Sequence, residues 1–210
     1  NQSSFREACQ KLGPITAITL DWVDPISELR HGQTKSYDPS LNVLQDVFPH
    51  AWSIICPFLK SGVMRLDDVA IAGGGRCVTL DLRVPGTLIR VRMQRDGIQR
   101  TRVLRVSGAE WQAHLDFTNE PGHAEVNGAA VDVADGFFSP LALEMRAFLE
   151  NRLPSITRFD SAQGAIRLSV EALGRVRSMQ AETIQSGDKQ AADYALREIK
   201  CGGTSGDGVA

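Results

Sequence analysis

The sequence predicts an α+β domain: one open, mostly antiparallel sheet with helices packed on one face. Three observations predict it. From Val63 to Thr118, short segments of alternating apolar and polar residues follow one another, punctuated by turn signals such as Pro85-Gly86 and Asp96-Gly97. Before that run, Leu44 to Leu59 spaces its apolar residues at i, i+3, i+4 and i+7, the pattern of one buried helix face. After it, helical spacing returns between Ser139 and Met179. Neighbouring strands joined by short turns read as an antiparallel meander, and the sheet face without helices is expected to be covered by a partner chain.

The elements follow in order. Ser3 or Ser4 caps a helix to Lys11, with Phe5, Ala8 and Leu12 on one side, and Gly13-Pro14 stops it. Ile15 to Val23 is a strand with Ile18, Leu20 and Trp22 facing one way. Residues 24–40 are polar and broken by Pro25, Gly32 and Pro39; they read as a long loop, a kind of segment that is often functional. Asp38-Pro39-Ser40 starts the central helix, whose Pro49 cannot donate to the carbonyl of Gln45 and so predicts a kink. Strands are expected over Val63–Ile71, Cys77–Val84, Leu88–Gln94, Thr101–Ser107 and Glu110–Thr118, with a turn at Asn127-Gly128. Ser139-Pro140 opens a helix carrying Leu141, Met145, Phe148 and Leu149. Thr157 with Asp160 opens another, striped by Phe159, Ala162, Ile166, Val170 and Leu173. Residues 1–180 thus form the domain, 181–200 a helical extension, and 201–210 a Gly-rich tail expected to be disordered.

Composition narrows the function. With 210 residues and 42% hydrophobic content the chain buries a core without disulfides or metal. A formal charge of −2 gives no general affinity for nucleic acid or anionic membrane. Cys9, Cys56, Cys77 and Cys201 are far apart, which argues against a zinc site or disulfide framework and fits the reducing cytoplasm. No apolar run reaches the ~18 residues of a membrane span.

The chemistry concentrates on the central helix. Asp46, His50 and Ser53 lie at i, i+4 and i+7, in one line apart from the apolar face. Imidazole exchanges protons near neutral pH, and a carboxylate one turn away would orient it. From the residues alone, the pair reads equally as a local helix contact. A hydrolase triad is disfavoured because no G-x-S-x-G turn presents the serine. A metal site is disfavoured because two ligands on one helix are too few. Trp22, Asp24, Arg30 and Tyr37 are candidate walls of a substrate site, against the alternative of a core Trp and a solvated loop.

Several segments resemble one family. Gln45 to His50 (QDVFPH) is similar to the D-x-x-x-H segment of the glucose-fructose oxidoreductase and inositol dehydrogenase family, called Gfo/Idh/MocA. Phe5 to Trp22 resembles that family's helix, turn and first sheet strand. Leu115 to Gly128 resembles the end of its meander, and Pro140 to Thr157 its closing helix. Together these cover about residues 5–178. The resemblance implies the C-terminal, substrate-binding and oligomerisation domain of an oxidoreductase using NAD or NADP on a hydroxyl or carbonyl of a sugar-like metabolite. It implies His50 and Asp46 as catalytic; Ser53 joins Trp22, Asp24, Arg30 and Tyr37 as a candidate substrate contact on the reading of the residues alone.

Two departures matter. The family's Rossmann domain, with its G-x-G-x-x-G, and its E-K-P lysine do not occur in this sequence; Gly73 to Gly75 precedes a strand instead of a helix N-terminus. The second acidic residue that often follows the family's His is replaced by Ala51-Trp52-Ser53. The chain itself is therefore expected to bind no cofactor or metal. Three readings stay open: part of a dehydrogenase, a cofactor-free isomerase, cyclase or dehydratase, and a non-catalytic module pairing with a Rossmann-containing relative. Self-association through the sheet face is expected in the first.

Overall fold

The computed structural model describes residues 2–30, 33–34, 41–59, 64–119, 122–131 and 159–185. Helix α1 (Gln2–Leu12) leads to strand β1 (Ala17–Pro25), then to a two-residue ladder of β2 (Leu29–Arg30) and β3 (Gln33–Thr34). Helix α2 (Val43–Ile55) continues as a 3-10 turn over Cys56–Phe58. Strands β4 (Arg65–Ala72), β5 (Cys77–Val84), β6 (Thr87–Gly97), β7 (Thr101–Ser107), β8 (Gln112–Asp116), β9 (His123–Val126) and β10 (Ala129–Ala130) follow, then the long helix α3 (Phe159–Gln185). The fold class is the α+β arrangement the sequence predicts: an eight-stranded sheet in the order β10-β9-β8-β7-β1-β6-β5-β4, with its helices on one face.

The strand alternation is realised residue by residue. Ile18 and Leu20 of β1, Val78, Leu80 and Leu82 of β5, Ile89, Val91 and Met93 of β6, and Leu104 and Val106 of β7 all point to the helix side and are buried. Helix α2 seats Val43, Leu44, Val47, Phe48, Ala51 and Ile55 on that layer. This is the i, i+3, i+4 stripe expected of one helix face.

Four expectations need correction. The central helix starts at the cap of Asn42, not at Asp38-Pro39-Ser40: Asn42 Oδ1 accepts from Gln45 N at 3.0 Å, and Gln45 Oε1 accepts from Asn42 N at 3.3 Å. This reciprocal capping box satisfies donors that a helix otherwise leaves unpaired. Gly75 packs against it; at φ +90°, a Cβ there would meet Asn42 Cβ at 2.8 Å. Asp96-Gly97 does not close a hairpin between adjacent strands, although Asp96 has φ 59°. Strand β1 occupies the slot between β6 and β7, parallel to the first and antiparallel to the second.

The other two corrections concern the outer helices. In α1 the buried positions are Phe5 and Cys9, while Leu12 is exposed. In α3, Ala165, Leu168 and Ala172 face inward, and Ile166 and Val170 are 62% and 65% exposed. The buried line of α3 runs through Ala165, Leu168 and Ala172, with Leu173 and Val176 partly covered beside it, and it meets α2 and β4. The helix expected after Ser139-Pro140, the one over 190–200 and the tail lie outside the described residues.

Candidate active site at the end of the central strand

Three elements converge where β1 and β6 end and β7 begins. Trp22 continues the inward row of Ile18 and Leu20. It lies between the buried Leu20 and Asp24 of that row, and its own ring is only partly covered. The imidazole of His50, on α2, stacks on it with ring centres 6.2 Å apart and an interplanar angle of 18°. Phe117 meets the same indole edge-on at 6.4 Å. Aromatic pairs of this kind contribute about 0.5–1.5 kcal/mol beyond their area. The stack fixes the plane of an imidazole that is otherwise exposed.

Beneath the stack lies a buried ion pair. Arg102, opposite Trp22 on β7, places Cζ 3.8 Å from the centre of the indole ring. Its Nη2 bonds Asp24 Oδ1, and its Nη1 donates to the carbonyls of Val23 at 2.6 Å and Thr101 at 2.9 Å. Both side chains are almost fully buried, at 2% and 3% exposure. Burial lowers the hold of Arg102 on its proton, and Asp24 pulls in the opposite direction. The Nε1–H of Trp22 is buried and has no acceptor among the described residues.

Asp46 pairs with an arginine instead of the imidazole. Its Oδ2 accepts from Arg95 Nη2 at 2.6 Å, and Arg95 Nη1 donates to the carbonyl of Leu41 at 2.7 Å. Arg95 is 7% exposed on the inward row of β6, so the pair clamps the first turn of α2 and the residue before its cap to the sheet. Ser53 Oγ donates to the His50 carbonyl at 2.7 Å, a back-bond within the helix. The structure thus brings together His50, Trp22 and, through Arg102, Asp24. It holds Asp46 nearby on a different partner. The side chain of Arg30 and all of Tyr37 lie outside the described residues.

Arg95 and Arg102 were not among the expected site residues. A signal for both was present: each falls in phase with the apolar row of its strand, Arg95 after Ile89, Val91 and Met93, and Arg102 before Leu104 and Val106. An arginine on a buried row needs a carboxylate, and the sequence does not say which one.

Among the described residues, no group of three His, Cys, Asp or Glu side chains is placed to hold a metal ion. None of their helices is long and apolar enough to cross a membrane.

Solved structures place this arrangement in a known fold. UDP-N-acetylglucosamine 3-dehydrogenase GnnA from Acidithiobacillus ferrooxidans matches with a TM-score of 0.60 and 16% identity over 80% of this chain and 56% of its own. KijD10, a 3-ketoreductase from Actinomadura kijaniata solved with TDP-benzene and NADP, matches at 0.56 and 14%, over 80% and 55%. The dehydrogenase MviM from Clostridium difficile matches at 0.57 and 15%, over 82% and 58%. The chain has the fold of Gfo/Idh/MocA-type dehydrogenases. It spans a little over half the length of these structures, as their C-terminal domain would. No protein-family model and no curated protein matches the sequence.

Proposed function

We propose that this chain is the substrate-side domain of an NAD(P)-dependent oxidoreductase acting on a hydroxyl or carbonyl of a sugar-like metabolite, working in the reducing cytoplasm. The observation that carries the reading is the His50 imidazole, held flat on Trp22 at the end of β1 and open on its other side. An imidazole so placed takes a proton from a substrate hydroxyl, or returns one to a carbonyl oxygen. Asp46 and Arg95 hold the helix that carries it; Asp24 and Arg102 hold the indole beneath it. The fold shared with dehydrogenases and a ketoreductase supports the same reading. Cys9 is a buried free thiol, which suits a reducing compartment.

The residues described here do not fit a dinucleotide. Gly73 to Gly75 form a 3-10 turn between β4 and β5, and Gly75 is used to pack the α2 cap. No helix N-terminus follows them to receive a pyrophosphate. In this reading NAD or NADP is therefore held outside the described residues, and no step of this chain runs through it. We assign the uncovered sheet face to self-association or to a Rossmann-containing chain. That face carries Arg105–Asp21 and Arg90–Asp81 pairs at 2.6 and 2.7 Å, a polar surface suited to a specific partner more than to a dry core.

The test is turnover by the native gene product on a panel of sugar nucleotides and free sugars, followed as reduced nicotinamide. His50→Ala should lower kcat by roughly 10²–10⁴-fold with the fold intact. Wild-type turnover in that variant would reject the assignment of His50. An intact mass that leaves no room for a Rossmann domain, together with nicotinamide-independent turnover, would favour a cofactor-free acid–base enzyme using the same histidine.

A further inference from the structure

The far edge of the sheet, two strands beyond β6, carries an unbalanced group of arginines. Arg65 on β4 stands directly opposite Arg83 on β5 in the antiparallel register. Like charges directly opposed across a ladder are destabilising. One carboxylate answers one of them: Asp67 Oδ2 accepts from Arg83 Nε at 2.7 Å. From α3, Arg167 and Arg175 line the same cavity of about 710 Å³. Arg175 is engaged by Glu171 at 2.9 Å and by the carbonyls of Leu66 and Asp67 at 2.8 and 3.1 Å. Arg65 and Arg167 have no hydrogen-bond or ion-pair partner among the described residues. The cavity wall therefore sets four guanidinium groups against two carboxylates, in a chain whose formal charge is −2.

A second cavity adjoins the first. Arg65 and Arg83 line both, and the rest of the second, about 350 Å³, is formed by the β5–β6 turn from Val84 to Leu88. Leu88 is 51% exposed, a large apolar side chain left on the surface beside a concentration of positive charge.

We propose that this groove binds a small molecule bearing a phosphate group. The phosphate sits among Arg65, Arg83 and Arg167, and a less polar body lies over Val84, Pro85 and Leu88. Guanidinium groups present planar, paired donors that match phosphate oxygens, and they remain charged throughout the physiological range. Arg175, fixed on β4 carbonyls, anchors α3 so that Arg167 is held over the groove. The site is independent of the His50 reading: Leu88 pairs with Ala17 at the start of β1, whereas His50 stacks on Trp22 towards that strand's other end.

Calorimetric titration of the chain at low ionic strength, where surface charge is least screened, tests the proposal. The probes are inorganic phosphate and phenyl phosphate. Phenyl phosphate is expected to bind one to one and more tightly than inorganic phosphate. Arg65→Gln with Arg167→Gln should weaken both by about tenfold or more, equivalent to about 1.4 kcal/mol. Leu88→Ser should weaken phenyl phosphate alone. Arg167→Gln by itself removes an exposed side chain with no described partner, so it keeps a folded protein for the comparison, checked by an unchanged Tm. Absence of saturable binding by either probe would overturn the proposal. So would binding that the double variant leaves intact, or equal affinity for both probes with no effect of Leu88→Ser.

Discussion

Arg102 is the residue on which the candidate site rests. Replacing it with alanine leaves the Asp24 carboxylate buried without its charge partner and removes the cation from beneath Trp22. A loss of about 3–5 kcal/mol is expected, measured by urea unfolding. Arg102→Lys keeps the charge but loses the fork that reaches Asp24 and two carbonyls, so it should recover only part of that loss. Cys9 gives a second residue-scale prediction. Burial pushes its thiol up to about 11 from 9.0. The folded state thus holds the proton more tightly than the unfolded state. Its contribution is fully present below pH 9 and is lost as pH rises through 11. Chemical unfolding across that window should show stability falling by about 2–3 kcal/mol, and Cys9→Ser should flatten the fall. At this scale the sequence was partly legible. His50 and Trp22 stood out by residue type, and their stacking joins positions that are remote in the chain. Asp46 and His50 looked like partners because they are one turn apart, yet a buried guanidinium from another strand competes better for a carboxylate than an exposed imidazole does.

At the scale of the element, helix α2 shows how local chemistry sets a boundary. The Asn42–Gln45 capping box is worth about 0.5–2 kcal/mol, so Asn42→Ala should lower stability by that amount in thermal melts. Asp38-Pro39-Ser40 looked like the start because its residue types favour one; Asn42 won because its side chain reaches the Gln45 amide and Gly75 leaves room for it. Helix α3 teaches the converse. Two apolar lines run along it, and periodicity alone does not say which is buried. Leu168→Ala should cost about 2–5 kcal/mol in unfolding experiments, while Ile166→Ala should stay within about 0.5 kcal/mol. Equal effects would mean that α3 sits on the sheet in a different rotation.

For the whole molecule, the sheet order decides which parts open first. Strand β1 is the fifth strand of eight, flanked by β7 and β6, and its pairing spans most of the described chain. Amides of β1, β6 and β7 should exchange with solvent only through global unfolding. Those of β9, β10 and the outer edge of β4 should exchange through local opening, measured by native-state hydrogen exchange. The sequence by itself determined the α+β class, the alternating inner rows of the strands and the residue types able to move a proton, because those follow from side-chain period and intrinsic chemistry. Tertiary structure alone decided that β1 enters between β6 and β7, that Arg95 takes Asp46, and that Arg102 lies buried under Trp22. Each of these joins segments tens of residues apart, and the free energy of such a contact depends on which surfaces the completed sheet brings together.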